Sequence, residues 1–163
     1  MTNTVEIALT RGLVAVIDSR DFHAVNKHRW YAAPASRGKG FYAATSTAGQ
    51  STTYLHRYIL NAPSGVLVDH INGDRLDNRR RNLRICNPSQ SAWNTRNFKG
   101  KFKGVWQVKS GVWRSQISAN RRRIEVGTFP TEEEAARAYD AAALKHHGEF
   151  AKLNFPKGKS SDA

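Results

Sequence analysis

The sequence has a single cysteine, Cys86, in 163 residues. One thiol excludes an internal disulfide and a cysteine-rich zinc finger. With no second cysteine near it, Cys86 reads as a small apolar residue meant for burial. No apolar run approaches the ~18 residues of a membrane-crossing helix. The opening MTNTVEIALTRG also lacks the basic start and apolar stretch of a signal peptide. Acid is scarce too: 13 Asp+Glu stand against 26 Lys+Arg, for a net charge of +13. These deficits describe a soluble cytoplasmic protein without a membrane partner. Its charge suits a polyanion, because each neutralised phosphate releases a counterion. A basic ribosomal-type protein would explain the charge alone equally well.

What is present falls into three textures. Residues 1–53 hold short alternating runs, VEIALT, LVAVID and FYAATST, and read as a β-rich scaffold or DNA-contacting platform. In residues 54–98, Tyr54 to Leu60 reads as a short helix stopped by Pro63 and Gly65. An apolar VLV, the pair Asp69-His70, and a turn rich in Gly, Asp and Asn follow. The basic NFKGKFKG reads as a linker. Residues 99–157 read as three strands and a helix, and 158–163 as a disordered tail.

In VWRSQIS, Trp113, Ser115 and Ile117 share one face while Arg114, Gln116 and Ser118 share the other. IEVGTF places Ile124 and Val126 on the apolar side, and Glu125 with the preceding Arg123 on the polar side; ANRRR makes a basic turn between the strands. Thr131, with Glu134 three residues later, announces a helix by a capping box. Its first turn is acidic and its last carries Lys145, His146 and His147, which suits the helix dipole. Ala135, Ala138, Tyr139, Ala142 and Ala143 recur at helical spacing, with Gly148 as the C-cap. Such a face lets a helix lie close on a small sheet and leaves the sheet's basic face for a partner.

Hydrolysing a phosphodiester at neutral pH needs an activated water and something to neutralise the leaving oxygen. A hard divalent cation supplies the second; a histidine of pKa ~6.5 supplies the first. Asp69 and His70 are neighbours that would point to opposite faces of a regular strand. The ordered motifs VDHINGD, DNRRRNLR and SQ-x-x-x-N resemble the HNH nuclease family, in the variant found in phage homing endonucleases, over about forty residues. The resemblance implies two antiparallel strands and a helix around one divalent cation. It implies a bend that lets Asp69 ligate Mg²⁺, or Mn²⁺, while His70 acts as general base. It also implies that Asn82 opens the helix and orients the His70 loop by side-chain to backbone hydrogen bonds. The last ligand falls at Ser91, where relatives usually show Asn; Asn94, one helical turn on, is the alternative. Arg79, Arg80 and Arg81 read as phosphate contacts or as a solvated face. His56, in LHR, reads as packing on the hairpin or touching a phosphate.

The later signature GTF-x-T-x-EEAARAYD-x-AA, then G and LNFP, resembles an Apetala-type (ethylene-response-factor) DNA-binding domain over about fifty residues. That resemblance implies a three-stranded sheet in the major groove backed by a helix. Contacts would come from Lys103, Trp106, Arg114, Gln116, Ser118 and Arg123, with Arg121 and Arg122 reaching phosphate. Trp106 reads equally as packing at the sheet edge. The plant pattern has an aromatic at the place of Glu125 and an arginine at that of Trp106, so base preference does not transfer.

The expectation is an α+β chain: a β-rich segment, a ββα-metal HNH core, and a three-stranded antiparallel sheet on one helix. It would be a homing-type endonuclease holding one Mg²⁺ or Mn²⁺ per site and acting on double-stranded DNA, as a nicking monomer or a double-cutting homodimer, in a phage or bacterial cytoplasm. The rivals are a non-catalytic DNA-binding regulator with a degenerate HNH site and a structural RNA-binding protein.

Overall fold

Alternation in the first two runs makes β1 (Thr4–Ala8) and β2 (Val14–Asp18), an antiparallel hairpin pairing Val5 with Ile17 and Ile7 with Ala15. The computed structural model describes residues 3–35, 40–46, 51–95, 100–119 and 121–156. After the short helix α1 (Phe22–Val25), a second antiparallel sheet runs in the order β3-β4-β5, with β3 at Tyr31–Pro34, β4 at Phe41–Thr45 and β5 at Thr53–Tyr54. Helix α2 (Leu55–Leu60) stops at Asn61, which adopts a left-handed φ of 48° ahead of Pro63. From α2, Arg57 donates to the carbonyls of Ala62, Pro63 and Val66. That clamp fixes the approach to β6 (Leu67–His70), which pairs antiparallel with β7 (Leu83–Cys86).

Ile7, Ile17, Val25, Trp30, Leu55, Ile59 and Leu83 share one buried cluster. Met1–Pro88 forms one compact unit, in which the segment 1–53 shares its core with residues after it. Neither a two-stranded hairpin nor a six-residue helix can bury its apolar side alone, so each uses the other. The second unit is Ser89–Ala163. The division falls inside α3 (Pro88–Trp93). Part of the expected linker (97–99) and the expected tail (158–163) lie outside the described residues.

In the second unit β8 (Val105–Lys109), β9 (Val112–Ala119) and β10 (Arg122–Phe129) form an antiparallel sheet with β9 central. Helix α4 (Glu132–His147) packs against it through Ala135, Ala136, Tyr139 and Ala143, over Phe102, Val105 and Ile117. Thr131 caps α4 by accepting from the Glu134 N–H at 3.2 Å. Asp140 on α4 accepts from the backbone of Asn154 and Phe155, and Asn154 in turn bonds the backbone of Lys103. The LNFP segment thereby ties helix to sheet. His147 departs from the expected dipole partner. It is buried, donates to or accepts from nothing at Nδ1, contacts Ser118 O at 2.9 Å through Nε2, and stacks on Trp93 at 4.3 Å. Burial keeps it below the ordinary imidazole pKa and so uncharged at neutral pH. The chain as a whole mixes helices with antiparallel sheets, an α+β arrangement. Among the described residues no helix is long and apolar enough to cross a membrane.

Candidate functional site

The loop between β6 and β7 is held from both sides. Against β2, Val16 N–H donates to Leu76 O at 2.8 Å and Val16 O accepts from Asn78 N–H at 2.7 Å. Inside the loop, Asn82 accepts from Asn72 N–H at 2.9 Å and donates to Asp77 O at 2.7 Å. One side chain thus closes the loop's two arms together. Asn82 does not open a helix, as the resemblance implied. It ends a 3-10 turn, Arg80–Asn82, and leads straight into β7. The wide loop needs a polar internal brace, and a buried carboxamide bonded at both its oxygen and its nitrogen provides it.

His70 is 5% exposed. Its Nε2 lies 3.4 Å from Asn78 Oδ1, and Asn78 is wholly buried. Asn78 Nδ2 donates to Leu76 O at 3.0 Å. That bond turns Oδ1 toward the imidazole, so Nε2 carries the hydrogen and Nδ1 the lone pair. Burial lowers the His70 pKa, opposed by Asn78 and by the charges of Asp69, Asp74 and Asp77. Its other wall is aromatic: His56 stands at 5.0 Å between ring centroids and Tyr42 at 6.2 Å. His56 is pushed down to about 3 by burial, with the charges of His70 and Arg57 adding to the effect.

Asp69 takes different company. The register runs unbroken through Asp69↔Arg84 and His70↔Leu83, so the expected bend is not made within the strand. Arg84 donates from Nη2 to Asp69 Oδ2 at 2.9 Å and from Nε at 3.2 Å, with both side chains largely covered. Among the described residues no three His, Cys, Asp or Glu side chains cluster as a ready-made metal cage. The donor chemistry at Asp69 fits a hard cation that takes one carboxylate and draws its remaining ligands from water and phosphate, the habit of Mg²⁺. Arg84 competes for that carboxylate. Ser91 and Asn94 belong to the second unit, where Asn94 is buried and Ser91 half-buried.

The arginine run divides. Arg79 forms a two-bond fork with Asp77 at 2.6 Å each. Arg80 forks onto Asp21, while its N–H donates to Asp18. The Arg80 guanidinium thus staples the loop to the N-terminal hairpin region, while the Arg79 fork closes on Asp77 within the loop itself. Arg81 is exposed. Asn78, Arg84 and the carboxylates of Asp21 and Asp77 were not singled out in the sequence. Asn78 and Asp77 lie within the quoted DNRRRN motif, but only a loop geometry reveals which of three asparagines faces the histidine.

On the C-terminal sheet, Ser115 and Ile117 are buried under α4 while Ser118 on the opposite face is exposed. Cross-strand pairing sets Trp106 against Arg114, Gln116 against Glu125, and Ser118 against Arg123. Trp106 is 40% exposed on that outer face, and Arg121, Arg122 and Arg123 are exposed at and beside the hairpin tip. Lys103 behaves otherwise. Its ammonium donates to the carbonyls of Trp93 and Thr95, and burial lowers its pKa to about 8. The structure turns it toward its own backbone.

Comparison with known proteins follows the same two parts. The HNH endonuclease family matches residues 61–92, and the AP2 domain matches residues 100–149. A protein named as an uncharacterized HNH endonuclease of Acanthamoeba polyphaga mimivirus is 31% identical over 150 residues, covering 88% of this chain and 76% of that protein. An ethylene-responsive transcription factor of Arabidopsis thaliana is 39% identical over 95 residues, 55% of this chain and 60% of its own. An AP2/ERF and B3 domain-containing protein of rice is 48% identical over 63 residues, 39% of this chain and 17% of its own. Likeness along nearly the whole length to the viral protein, with both domains matched in order, places the chain in the HNH endonuclease family, as a member that carries an AP2 domain.

Proposed function

We propose that this protein is a divalent-metal-dependent, homing-type endonuclease that nicks or cleaves double-stranded DNA at a site chosen by its C-terminal sheet. The observation that supports this most is the fixed, uncharged imidazole of His70. It is aligned by Asn78 inside a loop that Asn82 braces, one residue from a carboxylate. His70 Nδ1 accepts the proton of the attacking water, and Asn78 keeps the ring in the tautomer that can do so. Asn82 is a positioning residue: it holds the loop, not the phosphate. Asp69 holds Mg²⁺ or Mn²⁺. When bound, that ion supplies charge neutralisation at the leaving oxygen. Arg81 offers a cation to a backbone phosphate. The sheet reads the duplex through Trp106, Arg114, Gln116, Ser118 and Arg123, with Arg121 and Arg122 on phosphate. One such site per chain nicks as a monomer and cuts both strands as a homodimer.

The Asp69–Arg84 ion pair favours a second reading, in which the nuclease site is degenerate and the chain only binds DNA. Purified protein incubated with supercoiled plasmid and Mg²⁺ or Mn²⁺ separates the two. The enzyme reading expects nicked or linear product that His70→Ala abolishes while gel-shift affinity persists. Intact plasmid with either ion, despite DNA binding, establishes the binding-only reading instead.

A further inference from the structure

Among the described residues of the three strands, Glu125 is the one acid on the outer face of the sheet. Arg114 and Arg123 lie on the same face as Glu125, whose side chain is 57% exposed and sits beside Arg114. A carboxylate on a surface that meets phosphates weakens attachment to every duplex alike, since it cancels one of the counterion-releasing charges. A neutral polar residue would have no such cost. Glu125 also stands directly across from Gln116, and its Oε1 lies 3.4 Å from Arg114 Nε. That Arg114 nitrogen is buried yet makes no hydrogen bond of acceptable geometry, so the contact is a coulombic one and not a fork.

Resting on the DNA-facing reading of this sheet, we propose that Glu125 is a specificity-determining residue that selects a cytosine, beside the base that Arg114 reads. An ionised carboxylate only accepts hydrogen bonds. In the major groove guanine shows two acceptors and thymine an acceptor and a methyl group, and all of these repel or ignore it. Adenine has an amino donor flanked by the acceptor N7. Cytosine alone offers its 4-amino group without a neighbouring acceptor on the same base. Arg114, which suits guanine N7 and O6, is drawn by Glu125 along the face of the sheet, so the two side chains read neighbouring positions as a unit. The charge that costs general affinity is returned as discrimination.

The test is selection from a randomised duplex library with the full chain in EDTA, where no cutting intervenes, comparing wild type with Glu125→Ala and Glu125→Gln. Wild type is expected to enrich a cytosine at one position. Glu125→Ala is expected to lose that preference by about fivefold to a hundredfold while binding unrelated duplexes more tightly. Glu125→Gln is expected to move the preference toward adenine. An unchanged motif in both variants, whatever happens to overall affinity, overturns the proposal and leaves Glu125 as a surface charge. If Arg114→Ala and Arg123→Ala bind the wild-type motif undiminished, the sheet is not the DNA-facing surface. The proposal then falls together with the reading beneath it.

Discussion

The imidazoles of His56 and His70 stand edge to face, 5.0 Å between centroids and 72° between planes, both nearly excluded from solvent. Tyr54 stacks on the far side of His56 at 5.7 Å. A protonated His56 would sit beside Arg57 with its Nδ1 unpartnered, which is why its neutral form is the one that folds.

That relationship sets an acid limit on stability. The folded His56 pKa is about 3 against 6.5 for the free side chain, so between these values the unfolded chain binds a proton that the folded one refuses. His70 shifts in the same direction. Stability is then complete above pH 6.5 and is lost progressively as pH falls toward 3, at about 1.4 kcal/mol per pH unit for a single proton. Urea unfolding at pH 7.5 and pH 5 measures it. His56→Phe is expected to shrink the difference by at least ~1 kcal/mol; a variant with the full acid loss would show that the burden lies elsewhere.

Arg84 occupies the Asp69 carboxylate, so a cation held there, as proposed, would have to compete with it. Replacing Arg84 with Ala leaves a covered carboxylate without its partner and is expected to destabilise the protein by about 3 kcal/mol. Mg²⁺ should then recover part of that loss, because it stabilises the folded state in proportion to its affinity. Thermal melts with and without 10–20 mM Mg²⁺ (about that range, well above a weak site's Kd) give the answer. The ion should raise the Tm of Arg84→Ala more than that of wild type, and equal rises would argue against a cation at Asp69.

How much of this was readable beforehand depended on the period of the signal. The alternation in VWRSQIS and IEVGTF assigned each side chain of β9 and β10 to a face, because a sheet's pleat has period two wherever it is formed. Thr131 and Glu134 marked the start of α4 through purely local chemistry. By contrast, the shared core of residues 1–53 and 54–88 is a single cluster that includes both Ile17 and Leu83, far apart in sequence and invisible to any local pattern. The ion pairs of the arginine run were not legible either. Arg79 and Arg80 look like their neighbour Arg81 until Asp77 and Asp21 are brought beside them. Likewise nothing in the composition of NFKGKFKG tells that the ammonium of Lys103 turns back onto carbonyls.

The division of the arginines is itself measurable. Arg80→Ala removes a fork onto Asp21 and is expected to lower unfolding free energy by roughly 1–2 kcal/mol, discounted for its partial exposure. DNA affinity at fixed salt should stay near wild type. Arg81→Ala should leave the Tm unchanged and reduce the slope of log affinity against log salt by about 1. Fluorescence anisotropy across a salt series distinguishes them; a slope change in Arg80→Ala equal to that in Arg81→Ala would contradict the assignment.

Gly104 shows where the second unit tolerates no side chain. Its φ is 73°, and a Cβ there would lie 2.2 Å from two ring atoms of Tyr139 and 2.7 Å from the carbonyl oxygen of Gln116. The ring could swing, but Tyr139 is itself 3% exposed in the core under the sheet, and the carbonyl belongs to the central strand. Gly111, at the β8–β9 turn, has a similar φ of 69° with nothing within 4 Å of the same position. The pair separates backbone strain from collision. Gly111→Ala should cost only the left-handed conformation, about 1 kcal/mol. Gly104→Ala adds the clash and should cost at least ~3 kcal/mol, with binding to DNA lost as the sheet loosens. Chemical denaturation of the two variants, followed by Trp fluorescence, would show equal losses only if the close approach of α4 to the sheet were not what Gly104 is for.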